Sequence, residues 1–186
     1  MSEYQYYEFC KISAPITKAT RELMNSLSSR AKVGTHNACY VYNYGDFRGN
    51  SKEILLNYFD VYFYISNFGV MELFFKYKNE DIDVEAISKN CSKDVINLVK
   101  YGQYSILKIR INKEEGCGWI EGDGLLADLL SLYDEIKNKS YQSLELISAI
   151  DYDLNNEGEY LSAFIKDKEL TEGQQALVDC MKLFSY

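Results

Sequence analysis

Histidine is almost missing from this chain. His36 is the only one among 186 residues, and Pro15 is the only proline. Zinc sites draw on several histidines or closely spaced cysteines, so a lone histidine leaves little to build one from. The five cysteines, Cys10, Cys39, Cys91, Cys117 and Cys180, are odd in number and include no C-x-x-C pair. That pattern predicts reduced, mostly buried thiols rather than a disulfide framework or a redox motif. Long apolar runs are absent too: the longest, VYFYI at 61–65, has strand length, far short of the roughly 18 residues a spanning helix needs. The first residues are acidic and aromatic, without the basic patch and apolar stretch of a signal peptide. Repeats and low-complexity tracts are also lacking. Together these absences predict a cytoplasmic protein with no membrane contact, no metal and no cofactor.

Tyrosine is abundant, with 17 residues, and aromatics make up 15% of a chain that is otherwise 47% hydrophobic and 26% charged. That balance is globular apart from the aromatic excess. A single domain of this length hides roughly 70% of its unfolded surface. Charge divides unevenly: residues 1–79 carry nine basic side chains against seven acidic, and residues 80–186 carry eleven against twenty-one. Affinity for nucleic acid rests largely on Lys and Arg contacts with phosphates, so direct nucleic-acid binding is not expected. The acidic half either keeps its helices solvated or receives a basic protein partner.

Periodicity assigns the elements. EYQYYEFCKI at 3–12 alternates roughly as a strand. Pro15 breaks it, and Thr17 caps a helix whose apolar positions Ala19, Leu23, Met24 and Leu27 share one face. HNACYVYNY at 36–44 alternates again, with Ala38, Tyr40, Tyr42 and Tyr44 on one side. The turn GDFRGN follows, then a short helix, KEILLNYF, capped by Ser51. VYFYIS and VMELFFKY, separated by Asn67-Phe68-Gly69, predict a hairpin. Residues 81–99 read as two short helical pieces, and QYSILKIRIN at 103–112 as the last strand. Helices follow over 125–138 and 141–154, and another is opened by Thr171-Glu-Gly-Gln174, a capping box.

The predicted fold is therefore α+β: an antiparallel or mixed sheet in the N-terminal two thirds with helices packed on it, and a helical C-terminal third. One domain is expected over 1–186, sheet-rich to residue 113 and helical from 124. The apolar stripe Leu177, Cys180, Met181 and Phe184 near the end predicts that the native polypeptide continues and that this is its N-terminal portion.

No catalytic constellation emerges. His36 and Cys39 stand three apart on a strand, which puts their side chains on opposite faces, so a Cys–His pair is disfavoured against a surface histidine. GCGWIEG at 116–122 has the place of a phosphate loop but the spacing G-x-G-x-x-x-G, no P-loop lysine, and the acids Glu114, Glu115, Glu121 and Asp123 around it. Its other reading is a glycine turn that delivers Trp119, the only tryptophan, into the core or an interface. The tyrosine row Tyr40, Tyr42 and Tyr44 runs into Asp46, Phe47 and Arg48, where a large ring stands between an acid and a base, a composition enriched at docking surfaces. Either the row faces solvent and stacks on a partner, or the helix at 18–28 covers it. Partner-binding candidates are Tyr40, Tyr42, Tyr44, Asp46, Phe47, Arg48 and Trp119, and no catalytic or metal residue is assigned.

The segments SEYQYYEF, LSSRA (27–31), YNYGDFRGN (42–50), YFDVYFYISNFG (58–69) and GWIEGDGLLADLL (118–130) resemble a family of uncharacterised bacterial proteins. Where those proteins often carry tryptophan, this chain has Tyr44 and Phe68. A second resemblance is to the regulatory proteins cut by the caspase-like protease of some type III CRISPR systems, non-enzymatic binders of a sigma factor. That resemblance implies a non-enzymatic interaction or regulatory module in bacterial antiviral defence, with a protein partner such as a transcription regulator. The opposing expectation is a hydrolase or nucleotide-binding enzyme whose site is built from residues ordinary in sequence.

Overall fold

The protein is described from a computed structural model that covers residues 3–92, 94–113, 117–156 and 159–184. Its strands are β1 (Gln5–Cys10), β2 (Lys32–Val33), β3 (Asn37–Tyr42), β4 (Val61–Ser66), β5 (Val70–Lys78), β6 (Ile96–Tyr101) and β7 (Tyr104–Asn112). They form one sheet in the order β2-β3-β1-β4-β5-β7-β6, and every pair is antiparallel. The helices are α1 (Lys18–Ser26), α2 (Ser51–Tyr58), α3 (Val84–Lys89), α4 (Leu125–Leu129), α5 (Ser131–Lys137), α6 (Gln142–Asn155), α7 (Tyr160–Ile165) and α8 (Glu172–Lys182). A sheet-rich first part and a helical last part make this an α+β fold, with the sheet wholly antiparallel.

Because successive strand residues point to opposite faces, each strand serves two cores. On one face Phe63, Leu73, Phe75, Leu107 and Ile109 meet the buried side chains of α4, α5, α6 and α8, among them Leu126, Leu129, Leu132, Leu144, Ile147 and Leu177. Tyr77 and Tyr133 lock α5 to β5. Their rings stack 4.4 Å apart, Tyr77 Oη donates to the Tyr133 carbonyl, and Tyr133 Oη donates to the Lys76 carbonyl. On the other face Tyr7, Phe9, Tyr40, Tyr62 and Phe47 pack under α1 and α2, against Met24, Ile54, Leu55 and Phe59.

The segment expected to be helical over 81–99 is only half so. Val84–Lys89 is α3, but the second piece is β6, paired with β7 from Ile96↔Ile109 to Tyr101↔Tyr104. Gly102 turns that hairpin with φ of 59°, a conformation open to glycine. Ser51 is not the cap of α2: Asn50 is, its side chain accepting from the Glu53 N–H. Thr17 caps α1 as expected, and Thr171 and Gln174 form the reciprocal capping box at α8. The helix expected over 125–138 is two, divided at Leu130. Leu177, Cys180 and Phe184, the stripe expected to continue into further chain, are buried in the core of this fold, and the Met181 side chain lies outside the described residues. No helix among the described residues is long and apolar enough to cross a membrane.

Candidate functional site

Two consecutive residues at the start of β1, Tyr4 just before it and Gln5 its first, organise one end of the sheet. Gln5 is buried, and its amide is fully used: Nε2 donates to the Gly45 carbonyl at 3.2 Å and to Asp46 Oδ1 at 3.0 Å, while Oε1 accepts from Tyr7 Oη and Tyr64 Oη. The loop after β3 is thereby tied to the sheet. Tyr4 points to the opposite face, where its Oη accepts from the Gly122 N–H at 2.9 Å and its ring lies 6.2 Å from that of Trp119. Between these two anchors runs the β4–β5 turn. Asn67 exchanges backbone and side-chain bonds with Tyr4 and accepts from the Cys117 N–H. Three loops distant in sequence therefore close on one strand end.

Three large rings stand out from these loops: Trp119 is 74% exposed, Tyr44 71% and Phe68 43%. Asp46, Arg48, Glu121 and Asp123 are exposed around them. Burial, reinforced by Glu121 and Asp123 against the opposing Gly122 bond, pushes the Tyr4 phenol above its ordinary value.

The residues nominated from sequence divide here. Tyr40 is fully buried and donates to the Met24 carbonyl of α1, and Tyr42 is buried and donates to Ser28 Oγ. Tyr40 and Tyr42 are thus covered by α1 and the turn after it, whereas Tyr44 at the end of the row is exposed. Phe47 is also core, 8% exposed, with its ring 4.5 Å from Tyr40 and 5.3 Å from Tyr7. It lies over Gly49, where an added Cβ would come within 2.5 Å of the ring. Removal of apolar area from water explains these three positions. Tyr44, Asp46, Arg48 and Trp119 remain on the surface, and the fold gathers them at one end. Phe68 was not nominated; its signal was its seat at the tip of a hairpin turn.

The places where catalysis was weighed are occupied by structural contacts. His36 is exposed, with Nδ1 3.1 Å from the Lys11 carbonyl, and the Cys39 thiol reaches the Lys32 carbonyl at 3.7 Å. Burial pushes the Cys10 thiol up to about 11 and the Cys180 thiol up to about 12, and raises Cys39, Cys91 and Cys117 as well, so none is activated as a thiolate. In the 116–122 loop the Gly122 N–H is committed to Tyr4 Oη, while Gly116, Glu114 and Glu115 lie outside the described residues. Among the described residues no group of three His, Cys, Asp or Glu side chains is placed to hold a metal ion.

One buried cation was not anticipated. Lys76 Nζ donates to the Leu55 and Leu56 carbonyls at 2.9 and 3.2 Å and lies 3.8 Å from Asp60 Oδ1. Asp60 also holds Lys11 Nζ at 3.1 Å and accepts from the Ile12 N–H. Burial lowers the Lys76 ammonium to about 8, with Asp60 opposing and Lys11 adding to the fall. A cleft of about 400 Å³ opens beside it, lined by Asp81, Tyr104 and Lys137 among others. The ammonium satisfies the carbonyls at the C-terminal end of α2, the role such a cation plays at a helix end.

The chain matches no family model, no curated protein and no solved structure.

Proposed function

We propose that this chain is a non-enzymatic interaction module that docks a protein partner at the aromatic end of its sheet. One observation carries the reading: Tyr44, Phe68 and Trp119 are each exposed on one of three separate loops that Gln5 and Tyr4 tie to the same strand end. Rigid aromatic rings presented on an ordered frame lose little entropy on binding and form the usual anchors of interfaces. Asp46, Glu121 and Asp123 around them favour a basic partner surface. The resemblance to regulators cut by a caspase-like protease makes a transcription regulator in a bacterial antiviral system the kind of partner proposed.

The test is affinity capture with the intact chain, comparing wild type with Tyr44→Ala/Trp119→Ala. Both residues are exposed, so the variant should melt within a few degrees of wild type. A partner retained by wild type and lost by the variant supports the reading. A partner retained equally by both overturns the assignment to this surface.

A further inference from the structure

The second face of α8 borders an open groove. Leu177, Cys180 and Phe184 turn into the core, but Ala176 and Leu183 are only half-buried and line a groove of about 1030 Å³ with Leu125 of α4, Ile165 of α7 and Leu170. These aliphatic side chains form its floor. Ala176 and Leu183 pack against the core on one side and leave the rest of their surface to the groove.

The rim is acidic. Asp128, Glu172 and Asp179 are exposed along the groove, and Glu135 stands at the Thr171 end, where it accepts from Thr171 Oγ1 and Gln174 Nε2, both neutral donors. Two cations lie nearby. Lys168 Nζ is turned over the Phe164 ring at 3.2 Å and toward Glu145 at 4.0 Å, and Lys182 is bound to Asp179 at 2.7 Å. Carboxylates outnumber ammoniums around the opening, within a half of the chain whose acids outnumber its bases by twenty-one to eleven.

We infer that this groove seats a basic amphipathic helix of a partner protein, its aliphatic side chains on the floor and its lysines or arginines against the rim. An amphipathic helix laid in a groove is read through anchors at i, i+3, i+4 and i+7, which the aliphatic side chains of the floor would receive. Charge decides between occupants. A second copy of this chain, with net charge −8, would bring like charge to an acidic rim, whereas a cationic helix is attracted to it. The inference rests on the interaction-module reading and extends it to a second surface.

A labelled synthetic peptide of about 18 residues, long enough to form helix on binding, with leucine at i, i+3, i+4, i+7 and lysine between, is the probe. Its controls are the same composition scrambled and the same pattern with glutamate for lysine. Anisotropy titration of the full chain should show the patterned lysine peptide binding at least tenfold more tightly than either control. Asp128→Lys/Asp179→Lys should weaken it roughly tenfold, and Ala176→Arg should block it. Tyr44→Ala/Trp119→Ala should leave it unchanged, which separates failure here from failure of the sheet-end reading. The two charge changes are at exposed positions, so they retain their meaning if Ala176→Arg fails to fold. Equal binding of the scrambled peptide, or indifference to both groove variants, overturns the inference. So does a dimer in sedimentation that Ala176→Arg dissociates, because the groove would then belong to a second copy.

Discussion

Phe47 and Tyr40 lie ring against ring, with centroids 4.5 Å apart, where the loop after β3 folds back over the sheet. A residue read from sequence as the tip of a turn is thus a plug in the core. Phe47→Ala should lower stability by about 3–5 kcal/mol. Arg48→Ala, next along and exposed, should change it by less than about 0.5 kcal/mol. Urea unfolding of both variants decides the matter, and a near-neutral Phe47→Ala would put the loop back on the surface.

Trp119 is the sole tryptophan, so its emission reports one place. Its ring is 74% exposed, resting beside Tyr4. Native emission should already lie near the wavelength of a solvated indole, acrylamide should quench it efficiently, and unfolding should shift it little. Blue-shifted, protected emission would contradict the arrangement proposed for docking.

Lys76 ties alkaline behaviour to a single side chain. Its folded ammonium titrates at about 8, below the ordinary lysine value of 10.5. Between those values the unfolded chain binds more protons than the folded one, so this group makes stability rise with pH across that window. Stability of wild type minus that of Lys76→Met should therefore be flat below pH 8 and increase above it. A difference that stays constant through the window would show that the ammonium is not displaced.

The buried phenols act in the opposite sense at higher pH. Burial pushes Tyr6, Tyr40, Tyr62 and Tyr77 above the ordinary value of 10.0, with Glu8 adding for Tyr6 and Glu72 for Tyr62. Their contribution is complete below pH 10 and is lost as pH rises beyond it, because the unfolded chain ionises first. Absorbance at about 295 nm should show this set of phenols ionising together with the loss of circular dichroism. Ionisation of all tyrosines in a chain that remains folded would refute the burial.

Long, regular patterns were legible. The alternation of β1, β3 and β7, the hairpin at Asn67-Phe68-Gly69 and the box at Thr171 and Gln174 are local chemistry, and each is where the residues place it. β6 was not legible because Ile96, Leu98, Val99 and Tyr101 keep neither a helical nor a strand period. It is an edge strand, half-exposed on both faces, and long-range pairing with β7 decides its state. Asn50 and Ser51 both suit a helix cap, and the backbone chose the first. The exposed rings were legible in parts only: Tyr44 and Trp119 carried turn signals, but the tying of their loops and the Phe68 turn to one strand end depends on Gln5 and Tyr4, which no local rule connects to them.

The place of β1 in the sheet governs how the chain must assemble. It comes first in sequence yet lies inside, flanked by β3 on one side and β4 on the other, with Gln5 opposite both Tyr42 and Ser66. Neither neighbour exists on the ribosome until well after β1 has emerged. A nascent chain shorter than about residue 42 leaves both edges of this aromatic strand open, and one shorter than about residue 66 still leaves the β4 edge open, a form prone to wrong pairing. Distant pairing of this kind slows folding, and an unpaired β1 edge stays exposed for as long as its later partner is missing.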